Sequence, residues 1–249
     1  MTGEILLQGH NLTRRWGGLV AVSDVSIALT RGQVHAIIGT NGAGKSTLIN
    51  LLSGEFPPSS GQVELLGKNV SHWTQAHRAR AGLGRSYQRN TIFPSFTVIE
   101  NCRLCAQAQH QHPWKFWRNA HTDALTLAIA HEAAVRVGLG YALEREAGFL
   151  SHGQKRQLEI AMCLATTPQV LLLDEPLAGM GAEETERMLS LLQELKHDHA
   201  ILLVEHDMDA VFRIADLITV MVNGVVIATG SPDVVRNHPE VRTAYLGDH

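Results

Sequence analysis

Three observations predict an α/β fold. A fully apolar run, Val34 to Ile38, passes through a glycine-rich loop into a helix-like run, Leu48 to Leu52. Two further buried-strand runs, Val170 to Leu173 and Ile201 to Val204, are separated by a helical stretch. Between these strand-rich regions, from Val98 to Gly138, the apolar spacing turns helical. The expected architecture is one domain, 1–249, built on a strand–helix core (1–90 and 155–229) that includes an antiparallel β subdomain. An α-helical subdomain (91–154) is inserted into it, and a C-terminal tail (230–249) follows.

Each element has a local reason. Glu4 to Gln8 reads as a short strand, and Val25, Ile27 and Leu29 alternate with Ser26 and Ala28 as a half-buried one. Arg31-Gly32 turns the chain into the Val34 strand. Gly54 ends the first helix, because glycine takes the left-handed C-terminal position without a Cβ clash. Pro57 to Gly61 forms a loop before a short strand, Val63 to Leu66. In the middle third, Thr122 to Val137 fits an amphipathic helix with Leu125, Ile129, Ala133 and Val137 on one face. The helical pattern breaks near His110 to Lys115, beside the aromatics Trp114, Phe116 and Trp117. Lys155 to Thr166 is helical, and the next apolar strand ends at Asp174-Glu175-Pro176. Glu183 to Lys196 is a helix whose acidic start (Glu183, Glu184, Glu186) and basic end (Lys196, His197) complement its dipole. Asp216 to Val222 and Val225 to Ala228 flank Asn223-Gly224, a strong hairpin-turn signal.

The chemistry concentrates at Gly39-Thr40-Asn41-Gly42-Ala43-Gly44-Lys45-Ser46-Thr47, which is G-x-x-x-x-G-K-[ST] between a strand and a helix. Glycines let successive backbone N–H groups wrap a phosphate, and the following helix adds unpaired N-terminal donors. Lys45 can neutralise the terminal phosphates, and the Ser46 hydroxyl can complete an Mg²⁺ shell. This predicts binding of ATP or GTP. Asp174, at the carboxyl end of its strand, is expected to hold Mg²⁺, and Glu175 to orient and partly deprotonate an attacking water. The core is therefore expected to be a P-loop NTPase (RecA-like) fold.

Composition narrows the class. The chain has 249 residues, 45% hydrophobic and 18% charged, enough for a well-buried core. A net charge of −3 argues against a broad nucleic-acid surface, which needs a basic excess. No apolar run reaches the ~18 residues of a membrane span. The N-terminus lacks a basic-then-apolar signal segment, so the expected compartment is the cytoplasm. Cys102 and Cys105 form a lone C-x-x-C with no second pair, and their spacing places both on one helix face as core residues. The 14 histidines, among them His110, His112, His197 and His199, are expected mostly at the surface.

Leu150-Ser151-His152-Gly153-Gln154 is, read locally, a capping box at a helix start. Together with the loop at Gly39, the Asp174-Glu175 pair and His206, it resembles the signature of ATP-binding-cassette (ABC) ATPases, with the motifs in family order along nearly the whole chain. The resemblance implies that Ser151, Gly153 and Gln154 serve, in trans, the γ-phosphate of a nucleotide held by another subunit. It also implies that Trp16 stacks on adenine and that Gln88 meets Mg²⁺ and water while linking core to helical insertion. His206 would contact the γ-phosphate and position the glutamate. The implied catalytic set is Glu175, His206, Gln88 and Lys45, and the metal set is Ser46, Gln88 and Asp174. Two positions depart from the family. His152 replaces a glycine in L-S-G-G-Q, and Ala178-Gly179-Met180-Gly181 lacks the aspartate of S-A-L-D that couples the two sites of a dimer.

Within the family, Trp16 to Val22, the run Leu150 to Ala161, Ala178 to Met180 and the ending Pro239 to Gly247 resemble the ATPases of branched-chain amino acid importers. The stretch Gln109 to His121 resembles the longer of the two ATPases such importers carry. The implied partners are a second ATPase subunit (identical or a shorter homologue), two membrane-spanning permease subunits and, indirectly, a soluble binding protein. The implied location is the inner face of a bacterial cytoplasmic membrane. Pro94 to Ile99 and the nearby aromatics are expected to line the groove that receives the permease. A soluble non-transport ABC ATPase or a P-loop kinase remain as alternatives. The first would usually pair cassettes or carry a long coiled insertion, and the second would not explain the signature, Gln88 and His206 together.

Overall fold

In the computed structural model, which describes residues 3–87, 91–110 and 123–243, the strands sort into two sheets by their burial pattern. The alternating, half-buried strands β1 (Ile5–Trp16), β2 (Leu19–Thr30) and β4 (Ser60–Leu65) join the short β5 (Lys68–Asn69) in an antiparallel sheet ordered β2-β1-β4-β5. The apolar strands β3 (Val34–Gly39), β7 (Val170–Asp174) and β8 (Ala200–Val204) are buried at every residue. They form the middle of a second sheet with β6 (Leu83–Arg85), β9 (Leu217–Val222) and β10 (Val225–Gly230), ordered β10-β9-β3-β8-β7-β6. All its pairings are parallel except the β9–β10 hairpin. Parallel strands covered on both faces need continuous apolar runs, which is what these segments supply.

The central sheet divides the core. Val170, Leu172, Leu202 and Val204 face α1 (Lys45–Ser53) and the antiparallel sheet. Leu171, Leu173, Ile201 and Leu203 face the other helices: α3 (Val98–His110), α4 (Ala124–Arg136), α5 (His152–Leu164), α6 (Ala182–Leu195) and α7 (Met208–Ile214). Each fully buried leucine contributes about 1.5–3 kcal/mol. α2 (Gln75–Arg80) lies before β6, and the short α8 (Pro232–Arg236) and α9 (Pro239–Val241) bury Val235 and Val241 in the larger cluster. The hairpin turn has Asn223 at φ 49° and Gly224 at φ 82°, the left-handed pair its sequence calls for.

Several expectations need correction. β1 runs on to Trp16 instead of stopping at Gln8. Register shifts and a left-handed Asn11 (φ 48°) carry the polar Gly9-His10-Asn11 segment through the sheet. On α4, Ala133 and Val137 are buried and Ile129 packs on the core as expected, but Leu125 is 57% exposed and Thr126, Ala130 and Ala134 complete the buried face instead. α4 packs against α3, and small residues allow that approach where a row of leucines would hold the helices apart. His35 and His199 are buried, unlike the surface histidines expected. His35 Nδ1 lies 3.0 Å from the Ala28 carbonyl and Nε2 2.8 Å from Thr219 Oγ1. Cys102 is buried on α3 with Cys105 packed against the same cluster, as their spacing predicts. Trp114, Phe116 and Trp117 lie outside the described residues.

Candidate functional site

β3 delivers the chain into the phosphate loop. Gly42 and Gly44 sit at φ 80° and 98°. A Cβ on Gly44 would stand 2.5 Å from the Ala21 carbonyl oxygen, so backbone approach as well as conformation demands glycine there. Among the described residues no side chain caps the start of α1, which leaves its first N–H groups to an anion. Lys45 Nζ folds over the loop and donates to the carbonyls of Gly39 (2.6 Å) and Thr40 (3.1 Å). Burial lowers its pKa, opposed by the nearby Glu175 and Asp174 carboxylates. A cavity of about 420 Å³ opens here, lined by Asn41 to Thr47, Leu19 to Ala21, Glu175 and the Asn223-Gly224 turn.

Trp16, at the end of β1, is 46% exposed and so is not a core anchor. Phe56 meets it edge-on at 5.0 Å, and the Arg14 guanidinium lies 3.9 Å over its ring. Trp16 stands outside the lining of the loop cavity.

The acidic pair ends β7. Asp174 is buried, its N–H donates to Ser86 Oγ at 3.3 Å, and its Oδ1 has no hydrogen-bond partner among the described residues. Burial pushes its carboxyl up, with Arg85 pulling it back. An orphaned carboxylate oxygen within electrostatic reach of Lys45 suits a hard divalent cation. Glu175 follows in the left-handed region at φ 50°, a conformation that is costly for a residue with a side chain. Its N–H donates to the Val204 carbonyl at 2.8 Å. His206 Nδ1 lies 3.9 Å from Glu175 Oε1. Sequence reasoning missed Glu205. This buried carboxylate accepts the N–H of Leu177 (2.8 Å) and of His206 (3.2 Å), tying the loop after Glu175 to the histidine. Its only signal in the sequence is an acidic residue closing an apolar strand.

Gln88 lies outside the described residues, but both of its flanks are anchored to α5. Arg156 donates to the Tyr87 carbonyl (3.2 Å), Glu159 accepts the Thr91 N–H (3.2 Å), and the two side chains pair at 2.9 Å.

The Ser151 turn forms the expected capping box: Ser151 Oγ accepts from Gln154 N (3.2 Å) and Gln154 Oε1 from Ser151 N (2.8 Å). Gln154 Nε2 also donates to Tyr141 Oη at 2.6 Å. His152 Nε2 lies 3.0 Å from the Ala178 carbonyl, bridging this turn to the loop that follows Glu175. Ser151, Gly153 and Gln154 border a separate cavity of about 530 Å³, which shares no lining residue with the loop cavity. One chain thus gathers Lys45, Asp174, Glu175 and His206 but leaves the Ser151 turn apart from them.

Comparisons with known proteins identify the family. The ABC transporter family model matches residues 22–178, and a model for branched-chain amino acid ATP-binding cassette transporters matches residues 225–249. The high-affinity branched-chain amino acid transport ATP-binding protein LivG of Salmonella typhimurium is 39% identical over 98% of both chains. BraF of Pseudomonas aeruginosa, a protein of the same description, is 37% identical over 98% of both. Among solved structures, the ADP conformation of an ATP-binding cassette of an ABC transporter superposes with a TM-score of 0.88 at 30% identity, covering 98% of this chain and 100% of that one.

Proposed function

The chain belongs to the ABC transporter ATPases, and on that premise we propose that it hydrolyses ATP to drive a bacterial importer of branched-chain amino acids or related small compounds. The observation that carries this reading is the split site: a complete phosphate-loop half and a signature turn that faces elsewhere. Such a chain hydrolyses ATP when two cassettes close, each lending its Ser151, Gly153 and Gln154 to the other's γ-phosphate. The similarity to LivG and BraF along almost the entire chain supports the cargo class.

The residues divide the work. Trp16 offers its uncovered ring face to adenine, and the Thr40 to Thr47 backbone, with Gly39 at its base, cradles the phosphates. Lys45 leaves the Gly39 and Thr40 carbonyls to meet the β- and γ-phosphates. Ser46, Asp174 and Gln88 would hold Mg²⁺, which neutralises phosphate charge when bound. Glu175 orients a water and accepts its proton, and His206 holds Glu175 and the γ-phosphate in register. The strained backbone of Glu175 suits a residue whose aim matters more than its local energy.

The partners in this reading are a second cassette, identical or a shorter homologue, and two permease subunits that keep the chain on the cytoplasmic face of the membrane. A soluble binding protein acts beyond them. Among the described residues no helix is long and apolar enough to cross a membrane. A mostly apolar cavity of about 300 Å³, between α2, Arg85 to Tyr87, Thr91 and α5, fits the permease contact. No residue of the stretch expected there, Pro94 to Ile99, lines this cavity: Val98 and Ile99 face the core, and Phe96 is exposed outside it. Residues 91–154 act as the helical subdomain, and α5 carries its motion across the boundary into the core.

The test is reconstitution with the neighbouring permease and ATPase in vesicles. Leucine, isoleucine or valine, presented with the binding protein, should stimulate phosphate release and be taken up in step. Phosphate release with no uptake of any of these would refute the cargo. No release without an added phosphate acceptor would refute the ATPase reading.

A further inference from the structure

The turn assigned to the partner's γ-phosphate already holds an anion from its own chain. Glu184 lies in the first turn of α6, and its Oε1 accepts the Ser151 hydroxyl at 3.2 Å. Its Oε2 accepts the N–H of Gly181 at 3.4 Å. The carboxylate also occupies the space over Gly153: a Cβ there would lie 2.5 Å from Glu184 Cδ and 2.6 Å from Oε1. A side chain at 153 would push the Glu184 carboxylate aside, so glycine at this position leaves the room that the carboxylate fills. Three features that would serve a phosphate, the Ser151 hydroxyl, the open face of Gly153 and the positive end of α5, are turned to a carboxylate instead.

From this we infer that Glu184 is a positioning residue for the reaction, the resident anion of the signature turn, and that it sets the ATP concentration at which two cassettes close. The inference rests on the reading that Ser151, Gly153 and Gln154 meet a partner's γ-phosphate. The hydroxyl proton of Ser151 is committed to Glu184, so the arriving phosphate must break that bond and face a like charge. The same carboxylate caps α6, the helix directly after the loop that His152 holds through Ala178. Giving up Ser151 therefore perturbs the segment between Glu175 and α6, which links closure at one site to the loop beside the other. The position where the family usually has a coupling aspartate is Gly181, whose N–H is one of the two groups Glu184 holds.

The test uses the assembled importer and measures the ATP dependence of phosphate release at low salt. Glu184→Gln keeps the length, the cap and an acceptor for Ser151, and removes only the charge. It should lower the KM for ATP by roughly three- to fivefold, as expected for one half-exposed charge, with little change in kcat, and the difference should shrink as salt rises. Glu184→Asp, which restores the charge, should return KM toward the wild-type value. A purely structural role predicts the reverse pattern, with the Gln variant matching wild type. A KM that is unchanged or higher in Glu184→Gln would overturn the inference. Ser151→Ala separates the two layers: it should lose most hydrolysis, and a Ser151→Ala importer with full activity would overturn the in-trans reading itself.

Discussion

Replacing Glu159 by alanine should destabilise the chain severely, although the residue touches no nucleotide. Its carboxylate pairs with Arg156 at 2.9 Å, and the two side chains are only 2% and 8% exposed. Burial pushes the Glu159 carboxyl up in spite of that partner, so the pair as a whole adds little net stability. Removing one member is another matter. It takes the paired carboxylate away from the buried Arg156 guanidinium, at about 3–5 kcal/mol, and orphans the Thr91 N–H, at about 1 kcal/mol more. For a domain of this size a loss of about 4 kcal/mol lowers Tm by roughly 10 °C. The measurement is urea unfolding and calorimetry of Glu159→Ala beside the double variant Glu159→Leu with Arg156→Leu. The double variant removes both charges of the pair and should recover at least half of the loss, while it breaks the anchors at Tyr87 and Thr91 on either side of Gln88. It should therefore fold yet transport less per ATP hydrolysed. A Glu159→Ala variant within about 1 kcal/mol of wild type, or a double variant worse than the single, would refute the reasoning.

Two further outcomes follow from single side chains. Burial lowers His35 from its ordinary pKa of 6.5 to about 4, so the unfolded chain takes up the proton before the native one does. The stability that His35 contributes is complete above pH 6.5 and is lost as pH falls to about 4, a change of about 3 kcal/mol. Urea midpoints across that window should fall with pH in wild type and much less in His35→Gln; equal slopes would contradict the assignment. Trp16→Ala should weaken ATP binding by roughly tenfold or more, the scale of one base–aromatic stack, while Trp16→Phe keeps most of it. Titration calorimetry with ATP and with inorganic triphosphate checks this, since only ATP should respond.

What could be read from the sequence was whatever is local along the chain. The phosphate loop, the Asp174-Glu175 ending, the capping box at Ser151 and the Asn223-Gly224 turn each need only a few adjacent residues in one backbone shape. On α4 only Leu125 was misjudged: it satisfies helical periodicity with Ile129, Ala133 and Val137, whereas the close approach of α3 selects Thr126 and the alanines. His35 was missed because its neighbours Val34 and Ala36 to Ile38 mark the strand as apolar. The partners that make burial tolerable, Ala28 and Thr219, come from other strands. Glu205 and Glu184 gain their meaning from contacts across the fold, to Leu177 and to Ser151, that no spacing rule encodes. Glu184 even has a sufficient local explanation, as an acidic residue in a helix's first turn, which conceals its second contact.

The central claim is that Glu175 activates the water in a site that two cassettes complete together. Its most direct test is Glu175→Gln in the assembled importer, with ATP binding and phosphate release measured side by side. The account predicts that the variant binds ATP as wild type does, releases phosphate slower by roughly 10²-fold or more, and accumulates with its cassettes closed on ATP. A variant that binds ATP and still hydrolyses it at the wild-type rate would contradict the account.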